Sequence, residues 1–435
     1  MSAAAGAAPT RKPSVWRAFT QPAAWTMFFF GFSSGLPFLL VAGTLAFWLK
    51  DYGIELKNIT IIASAGMTYA LKFLWAPLLD HARVPLLSRL GRRRGWLLLA
   101  QMVVIVGLLG MAAITPARLE AFVMLTLLVA FAGATQDIAV DAYRIEIATV
   151  NAQGALVATY SLGYRVALIL TGALALFMAD HMAWPKVYVA MAAAMAIPVV
   201  ATLMSREPEV HRRAPSSWSQ AMRYAVIEPF ADFFRRYGWA LAALTLLFIL
   251  LFKIPEQALV GGIMSPFYRD MGFSKTEIGA VTKLYGTIMG LVGVFLGGAA
   301  VARWGARRPL LFSIVTCACS NLLYLWLIQR QGDIAVLTLV ISCENLTLGF
   351  LGTAAVAFLS SLVSREHTAT QYALLSSMVN LPGKVLGIFA GGIVEATGYG
   401  TYFVIATLAV LPATLLFLVL WPRFRAADRA AAATA

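Results

Sequence analysis

The chain has 435 residues, of which 60% are hydrophobic and 12% charged, with a mean hydropathy of +0.78. A soluble globular domain needs far more polar surface, so this composition excludes one and indicates a polytopic membrane protein. The formal net charge of +14 invites a nucleic-acid reading, but the placement of the basic residues along the chain excludes it.

Residues 1–22 are rich in Ala and Pro, carry Arg11, Lys12 and Arg17, and lack a signal-peptide cleavage pattern. They are expected to form a disordered cytoplasmic lead. Apolar runs of spanning length then predict helices at 23–48, 57–79, 96–114, 121–143, 153–178 and 184–204. A polar segment, SREPEVHRRAPSSWSQAMRYAVIEPFADFFRRYG (205–238), interrupts the pattern with prolines, arginines and amphipathic pieces. That composition suits a linker along the cytoplasmic membrane surface. Six more runs follow at 239–262, 276–300, 309–329, 333–362, 368–394 and 399–421, and a short tail at 422–435. The plan is six helices (23–204), a central loop, and six helices (239–421).

Counting Lys and Arg in alternate connections gives 22 on one side, including Arg83, Arg89, Arg92–Arg94, Arg206 and Arg303, against 7 on the other. By the positive-inside rule both termini are cytoplasmic, and topology accounts for the basicity. Cys317, Cys319 and Cys343 sit in apolar spans with no CxxC or Cys/His spacing, so neither a disulfide framework nor a metal site is indicated.

Two internal echoes point to repeated halves. After span 2 the chain reads APLLDHARVPLLSRLGRRR, with Asp80, Arg92 and Arg93; after span 8 it reads GGAAVARWGARRP, with Arg303. Both resemble the loop motif GxxxD(R/K)xGRR of the major facilitator superfamily. The first copy is interrupted by an insertion, and in the second Ala302 stands where the acid belongs. Span 5 (YRVALILTGALA) and span 11 (GKVLGIFAGGIV) each place a cation, Arg165 and Lys384, seven residues before a glycine, as facing helices of two repeats around a central cavity would.

Nine ionisable residues fall inside predicted spans: Lys72, Asp137, Asp141, Arg165, Lys253, Glu256, Lys283, Glu344 and Lys384. Each costs roughly 2.5–3.5 kcal/mol at a helix centre on insertion scales, so together they imply a shared polar cavity. Asp137 and Asp141 are four apart and share one helix face, which makes them the candidate proton-coupling pair. The competing account is that these charges pair and merely hold helices in register, and Lys253 with Glu256, three apart, fits it best. Arg144 and Glu146 close span 4 and are expected at the cytoplasmic interface. Tyr160 and Tyr164 beside Arg165 offer a platform for a sugar ring. Gln136, Gln257, Asn345 and Gln371 offer hydrogen bonds to hydroxyls and amides. His81, His181, His211 and His367 form no cluster, and no GxSxG, Walker A or HExxH run occurs, so enzyme classes lack a signature.

GFSSGLPFLLVAGTLAFWL (31–49), YALKFLWAPLLD (69–80), LGRRRGWLLLAQ (90–101), GATQDIAVDAYRIE (133–146), LGYR (162–165), CENLTLGFLGTAAVAFL (343–359) and TATQYALLS (368–376) resemble the AmpG muropeptide permeases. These are bacterial members of the major facilitator superfamily, related to acetyl-CoA transporters. The resemblance implies an all-α membrane protein with twelve transmembrane helices in two six-helix halves, in the bacterial inner membrane. It implies proton-driven import of N-acetylglucosaminyl-1,6-anhydro-N-acetylmuramyl peptides for cell-wall recycling, which in some bacteria feeds β-lactamase induction. It places the functional acids at Asp137 and Asp141, with Asp80, Arg92, Arg93 and Arg303 as the gating loops. A small glycopeptide substrate, a lipid bilayer, a monomer, no cofactor beyond the proton gradient, and no nucleic acid are the corresponding partners. The residues by themselves reach a secondary transporter of a polar, anionic solute. Acetyl-CoA or a sugar-free peptide as solute, and a membrane sensor that binds without transport, stay open at this level.

Overall fold

The computed structural model describes residues 19–54, 62, 64–209, 227–256 and 263–433. The expected lead up to Ser14 and beyond to Ala18, the middle of the linker (210–226) and Gln257 lie outside the described residues. So do the side chains of some helical residues, Lys283 and Lys384 among them. The described chain is helical, with no strand.

The first span opens with Pro22 in its first turn, where a missing N–H costs nothing. It runs as α1 (Pro22–Leu40), breaks at Val41–Ala42 four residues after Pro37, and resumes as α2 (Gly43–Asp51). The second expected span is not one helix where it is described. It is cut into Ser64–Met67, Thr68–Leu71 and Lys72–Leu74 and then α3 (Ala76–His81), with tight 3-10 turns on either side of Tyr69–Leu71. Such turns commonly mark hinges, and Lys72 sits in one.

α4 (Arg92–Ile114) starts four residues earlier than expected. Its first turn is completed by Glu207, whose carboxylate accepts the Arg93 and Arg94 amides at 2.8 and 3.0 Å, an anion at a helix N-terminus. α5 (Leu119–Ile147) likewise outruns its expected end, so Arg144 and Glu146 are helical and buried within the protein. α6 (Val150–Ile169) continues through a π turn at Leu170–Leu174. α7 (Trp184–Ala194) and α8 (Ala196–Met204) close the first half.

The described end of the linker is α9 (Glu228–Tyr237), which buries Pro229 and Phe233 and exposes Arg235. Gly238, at φ +72°, turns the chain into α10 (Trp239–Leu251). The run into span 8 begins with a capping box: Glu277 Oε2 accepts the Ser274 amide and hydroxyl, and Ser274 Oγ accepts the Glu277 amide. Those donors hold the Glu277 carboxyl below the usual carboxylate range. A π-helical stretch, Gly279–Tyr285, leads to α11 (Gly286–Trp304). Then come α12 (Arg307–Ser320), α13 (Leu323–Gln329) and α14 (Ile334–Leu362), the last capped by Asp333, which accepts from Ala335 and Val336. α15 (Thr368–Leu408) is broken at Gly398, at φ +81°, and α16 (Val410–Ala433) follows.

Ten helices among the described residues are long and apolar enough to cross a membrane. The expected spans 57–79 and 368–394 are not among them. The first is segmented, and the second carries Gln371, Asn380, Pro382 and Lys384, which lower its hydropathy; the qualifying stretch there is Phe389–Phe424.

Close helix contacts rest on missing Cβ atoms. A Cβ on Gly31 would sit 1.9 Å from the Tyr160 carbonyl oxygen, and one on Gly163 1.8 Å from that of Phe28, so α1 and α6 touch backbone to backbone. Gly293 and Gly349 do the same between α11 and α14. Each half has its own apolar cores, but they interleave at the arginine-rich end. Ala369 and Ala373 pack with Leu79, Ala139 and Tyr143, and Ile145 packs with Leu310, Leu351 and Phe358. There α6 also crosses α11 at Gly154 and Gly298, whose added Cβ atoms would lie 2.7 and 2.8 Å from the other's carbonyl oxygen. The seam between the halves is shut at the arginine-rich end.

Candidate functional site

α5 carries the chemistry. Gly133 has no Cβ, which lets the Tyr69 hydroxyl come to within 2.2 Å of where one would be. One turn on, Asp137 is half-buried, and its buried Oδ1 has no hydrogen-bond partner among the described residues. Ser34 of α1 faces it without closing a hydrogen bond, and Lys72, Tyr69, Tyr160 and Tyr164 surround it electrostatically. Gln136 is fully buried, and neither of its amide atoms has a partner among the described residues. Groups of this kind are costly and rare in a native interior, and mark places where a ligand or water completes the set.

Asp141, one turn further, holds two cations: Lys72 Nζ at 3.3 Å on Oδ2 and Arg144 Nη2 at 3.3 Å on Oδ1. The sequence reading paired neither cation with it. Arg144 is 2% exposed and reaches further. Its Nη1 donates to Gln153 Oε1 at 2.6 Å on α6 and to Ser360 Oγ at 3.0 Å on α14, and its guanidinium lies 5.2 Å from the Tyr372 ring on α15. Arg144, Gln153, Ser360 and Tyr372 were missed because each looks interfacial or apolar in sequence. The available signal was the i, i+3 spacing of Asp141 and Arg144.

The Tyr160 and Tyr164 rings lie tilted to one another with centroids 6.1 Å apart, and Tyr164 and Tyr69 flank Phe38. Arg165 is half-buried, with no ion pair among the described residues. It reaches across the seam: a Cβ on Gly290 would lie 3.9 Å from Arg165 Nη2 and 4.0 Å from Asn345 Oδ1. Arg165 and Asn345 thus come together from opposite halves.

The remaining expected binding residues are dispersed. Lys253 pairs with Glu256 at 3.1 Å across the turn that follows α10. Glu344 accepts from the Tyr324 hydroxyl at 2.5 Å, which meets the Tyr268 hydroxyl at 2.9 Å. Gln371 stands apart from the acids. Its Oε1 accepts from Ser364 N and Arg236, and its Nε2 donates to Pro229 O and Asp232, so it fastens the linker helix α9 to α15.

A second cluster locks the arginine-rich end. Arg93, fully buried, forks onto Glu146 (Nε 3.0 Å, Nη2 2.5 Å), reaches Asp80 at 2.8 Å, and donates to Leu79 O. Arg92 adds bonds to Glu146 and to the Asp80 carbonyl. Asp80 then crosses the seam. Its carboxylate accepts the Ala369 and Thr370 amides at 3.1 and 2.8 Å and the Thr370 hydroxyl at 2.8 Å, at the N-terminus of α15. Negative charge is favoured there. Arg303, by contrast, is exposed against Trp304 and takes no part.

The Major Facilitator Superfamily family model matches residues 23–256 and 246–434. A Rickettsia felis transporter called AmpG 4 is 34% identical over 402 residues, 91% of this chain and 95% of its own. The anhydromuropeptide permease of Escherichia coli K12 is 34% identical over 405 residues, 93% of this chain and 80% of its own. Among solved structures, the human organic anion transporter MFSD10 superposes with a TM-score of 0.62 at 16% identity, covering 93% of this chain and all of that one, a likeness of fold. With ten helices among the described residues long and apolar enough to cross a membrane, the protein is a multi-pass protein of the inner membrane. The chain belongs to the major facilitator superfamily and, within it, to the AmpG-type permeases.

Proposed function

We propose that this protein is a transporter and not an enzyme, and that it imports anhydro-muropeptides (N-acetylglucosaminyl-1,6-anhydro-N-acetylmuramyl peptides) from periplasm to cytoplasm. The proton gradient drives it by alternating access, with the chain acting as a monomer and without a cofactor. The observation that carries this reading is the quartet Lys72, Asp137, Asp141 and Arg144, of which Arg144 is buried and the other three half-buried, with Asp141 holding both cations and Asp137 one turn away. With both acids ionised its charges cancel. A proton on either acid leaves one positive charge in excess, and a substrate carboxylate beside Lys72 restores neutrality. Uncompensated charge at this depth is costly, so the proton and the anion favour each other's entry.

Arg165 is the second anion contact, and Tyr160, Tyr164, Gln136 and Asn345 supply stacking and hydrogen bonds to sugar and amide groups. The Escherichia coli relative named for this solute supports the substrate class. Asp80, Arg92, Arg93 and Glu146 form the gate that closes the arginine-rich end while the site loads from the other.

Uptake of labelled anhydro-muropeptide into proteoliposomes, with and without an inward proton gradient, tests the reading. We expect gradient-dependent accumulation that Asp137→Asn or Asp141→Asn lowers at least about tenfold, with unlabelled muropeptide competing and acetyl-CoA or a sugar-free peptide failing to. Full accumulation without a gradient removes the proton from the mechanism. Competition by acetyl-CoA alone reassigns the solute.

A further inference from the structure

Arg144 joins elements that the proposed function uses but does not connect. It is buried on α5 within three residues of the cavity acid Asp141, yet two of its contacts, Ser360 and the Tyr372 ring, belong to the opposite half. Asp141 is its only carboxylate partner among the described residues. Gln153 and Ser360 offer it neutral oxygens, and Gln153 is itself held by donating Nε2 to the Arg144 carbonyl at 2.9 Å. Among the described residues, the titratable and charged groups facing Asp141 are Lys72, Asp137 and Arg144, with Tyr160 from α6 and Tyr372 from α15; α14 brings the Ser360 hydroxyl to this cluster.

A guanidinium 2% exposed is tolerable while Asp141 balances it. Once Asp141 is neutral, Arg144 is a buried cation among dipoles, and breaking a buried pair in this way is strongly unfavourable. The least costly relief is water, and parting Ser360 and Tyr372 from Arg144 would admit it to the guanidinium.

We propose that Arg144 is a positioning residue that transmits the charge state of Asp141 to the seam between the halves: it holds α14 and α15 against α5 while Asp141 is ionised, and lets them part when Asp141 is neutral. Arg144 touches no substrate in this scheme. It acts on the closed arrangement, beside the gate at Asp80 and independently of it. The proposal rests on the reading of Asp141 as a proton-coupling acid.

The test is the distance between nitroxide labels on Thr149→Cys and Glu366→Cys, exposed positions flanking the seam from either half, in the full chain with Cys317, Cys319 and Cys343 replaced by Ser. Distances are read at neutral and acid pH, with thermal unfolding as a folding control. The parent is expected to be closed at neutral pH and to open on acidification. Arg144→Gln is expected to raise the open fraction about tenfold at neutral pH and to abolish its pH response, Asp141→Asn to do the same, and the milder Ser360→Ala to shift it partway. An Arg144→Gln protein that unfolds normally yet keeps the parent's closed distance and pH response overturns the proposal. So does a Ser360→Ala protein with the parent's distances. If instead Asp141→Asn still accumulates substrate on a proton gradient, it is the proton-coupling reading that fails, and that uptake result is separate from the distances.

Discussion

Asp137 and Asp141 show how four residues of spacing separate two roles. Both lie on one face of α5, yet Asp141 is doubly paired while one oxygen of Asp137 has no hydrogen-bond partner among the described residues. The spacing was legible in sequence because a carboxylate in an apolar run is conspicuous. The division of roles was not, because it depends on Lys72 arriving from a broken helix and Arg144 turning back along its own. Gln371 shows the opposite failure: a polar residue inside a predicted span read as a ligand-binding amide, but it sits at the start of α15, engaged by Arg236 and Asp232. Replacing Gln371 by Leu therefore leaves Arg236 and the Ser364 amide short of an acceptor, at a cost of about 1–3 kcal/mol. The visible effect is expected at α9, where trypsin should cut at Arg235 and Arg236 several-fold faster than in the parent while uptake by the remaining intact protein persists. Unchanged cleavage would mean that α9 is held by Phe233 packing instead.

At the scale of elements, hydropathy located most helices and missed their ends. α4 and α5 each extend into what reads as polar loop because charges that look solvated are consumed internally: Glu207 completes α4, and Arg93 and Arg92 draw Asp80 and Glu146 into a neutral knot. Composition carries no information about such partners, since they lie 13 to 114 positions apart. The knot makes a sharp prediction about residue type. Lysine keeps the charge of Arg93 but cannot fork onto Glu146 while reaching Asp80 and the Leu79 carbonyl. Arg93→Lys should cost about 3 kcal/mol in thermal unfolding, in the range for a broken buried pair. Glu146→Gln should cost comparably, and the double variant less than the sum, since both remove one network. Strict additivity would show that the two residues act separately.

On the scale of the whole molecule, the two-halves plan was read from the central polar segment and the repeated Gly-Arg-Arg turns. The seam was not, because it is made by glycines, which in a membrane sequence look alike wherever they fall. Gly163 lies inside one half, where its missing Cβ lets α6 meet the Phe28 carbonyl; Gly298 lies between halves, against Gly154; and nothing stands within 4 Å of a Cβ on Gly391. Alanine at the three positions should therefore separate fold from motion. Gly163→Ala forces apart helices of a single core and should lower stability by about 1–3 kcal/mol or more, as overpacking does. Gly298→Ala pushes on a contact that an alternating-access carrier must break in every cycle. It should leave the half-cores intact, shift Thr149–Glu366 label distances toward the open form, and lose less thermal stability than Gly163→Ala. Gly391→Ala should be neutral or stabilising by up to about 1 kcal/mol through the unfolded chain. Equal thermal losses at Gly163 and Gly298, with the closed distance unchanged, would mean that the crossing of α6 and α11 is part of one rigid core, and the halves would then have to move about some other contact.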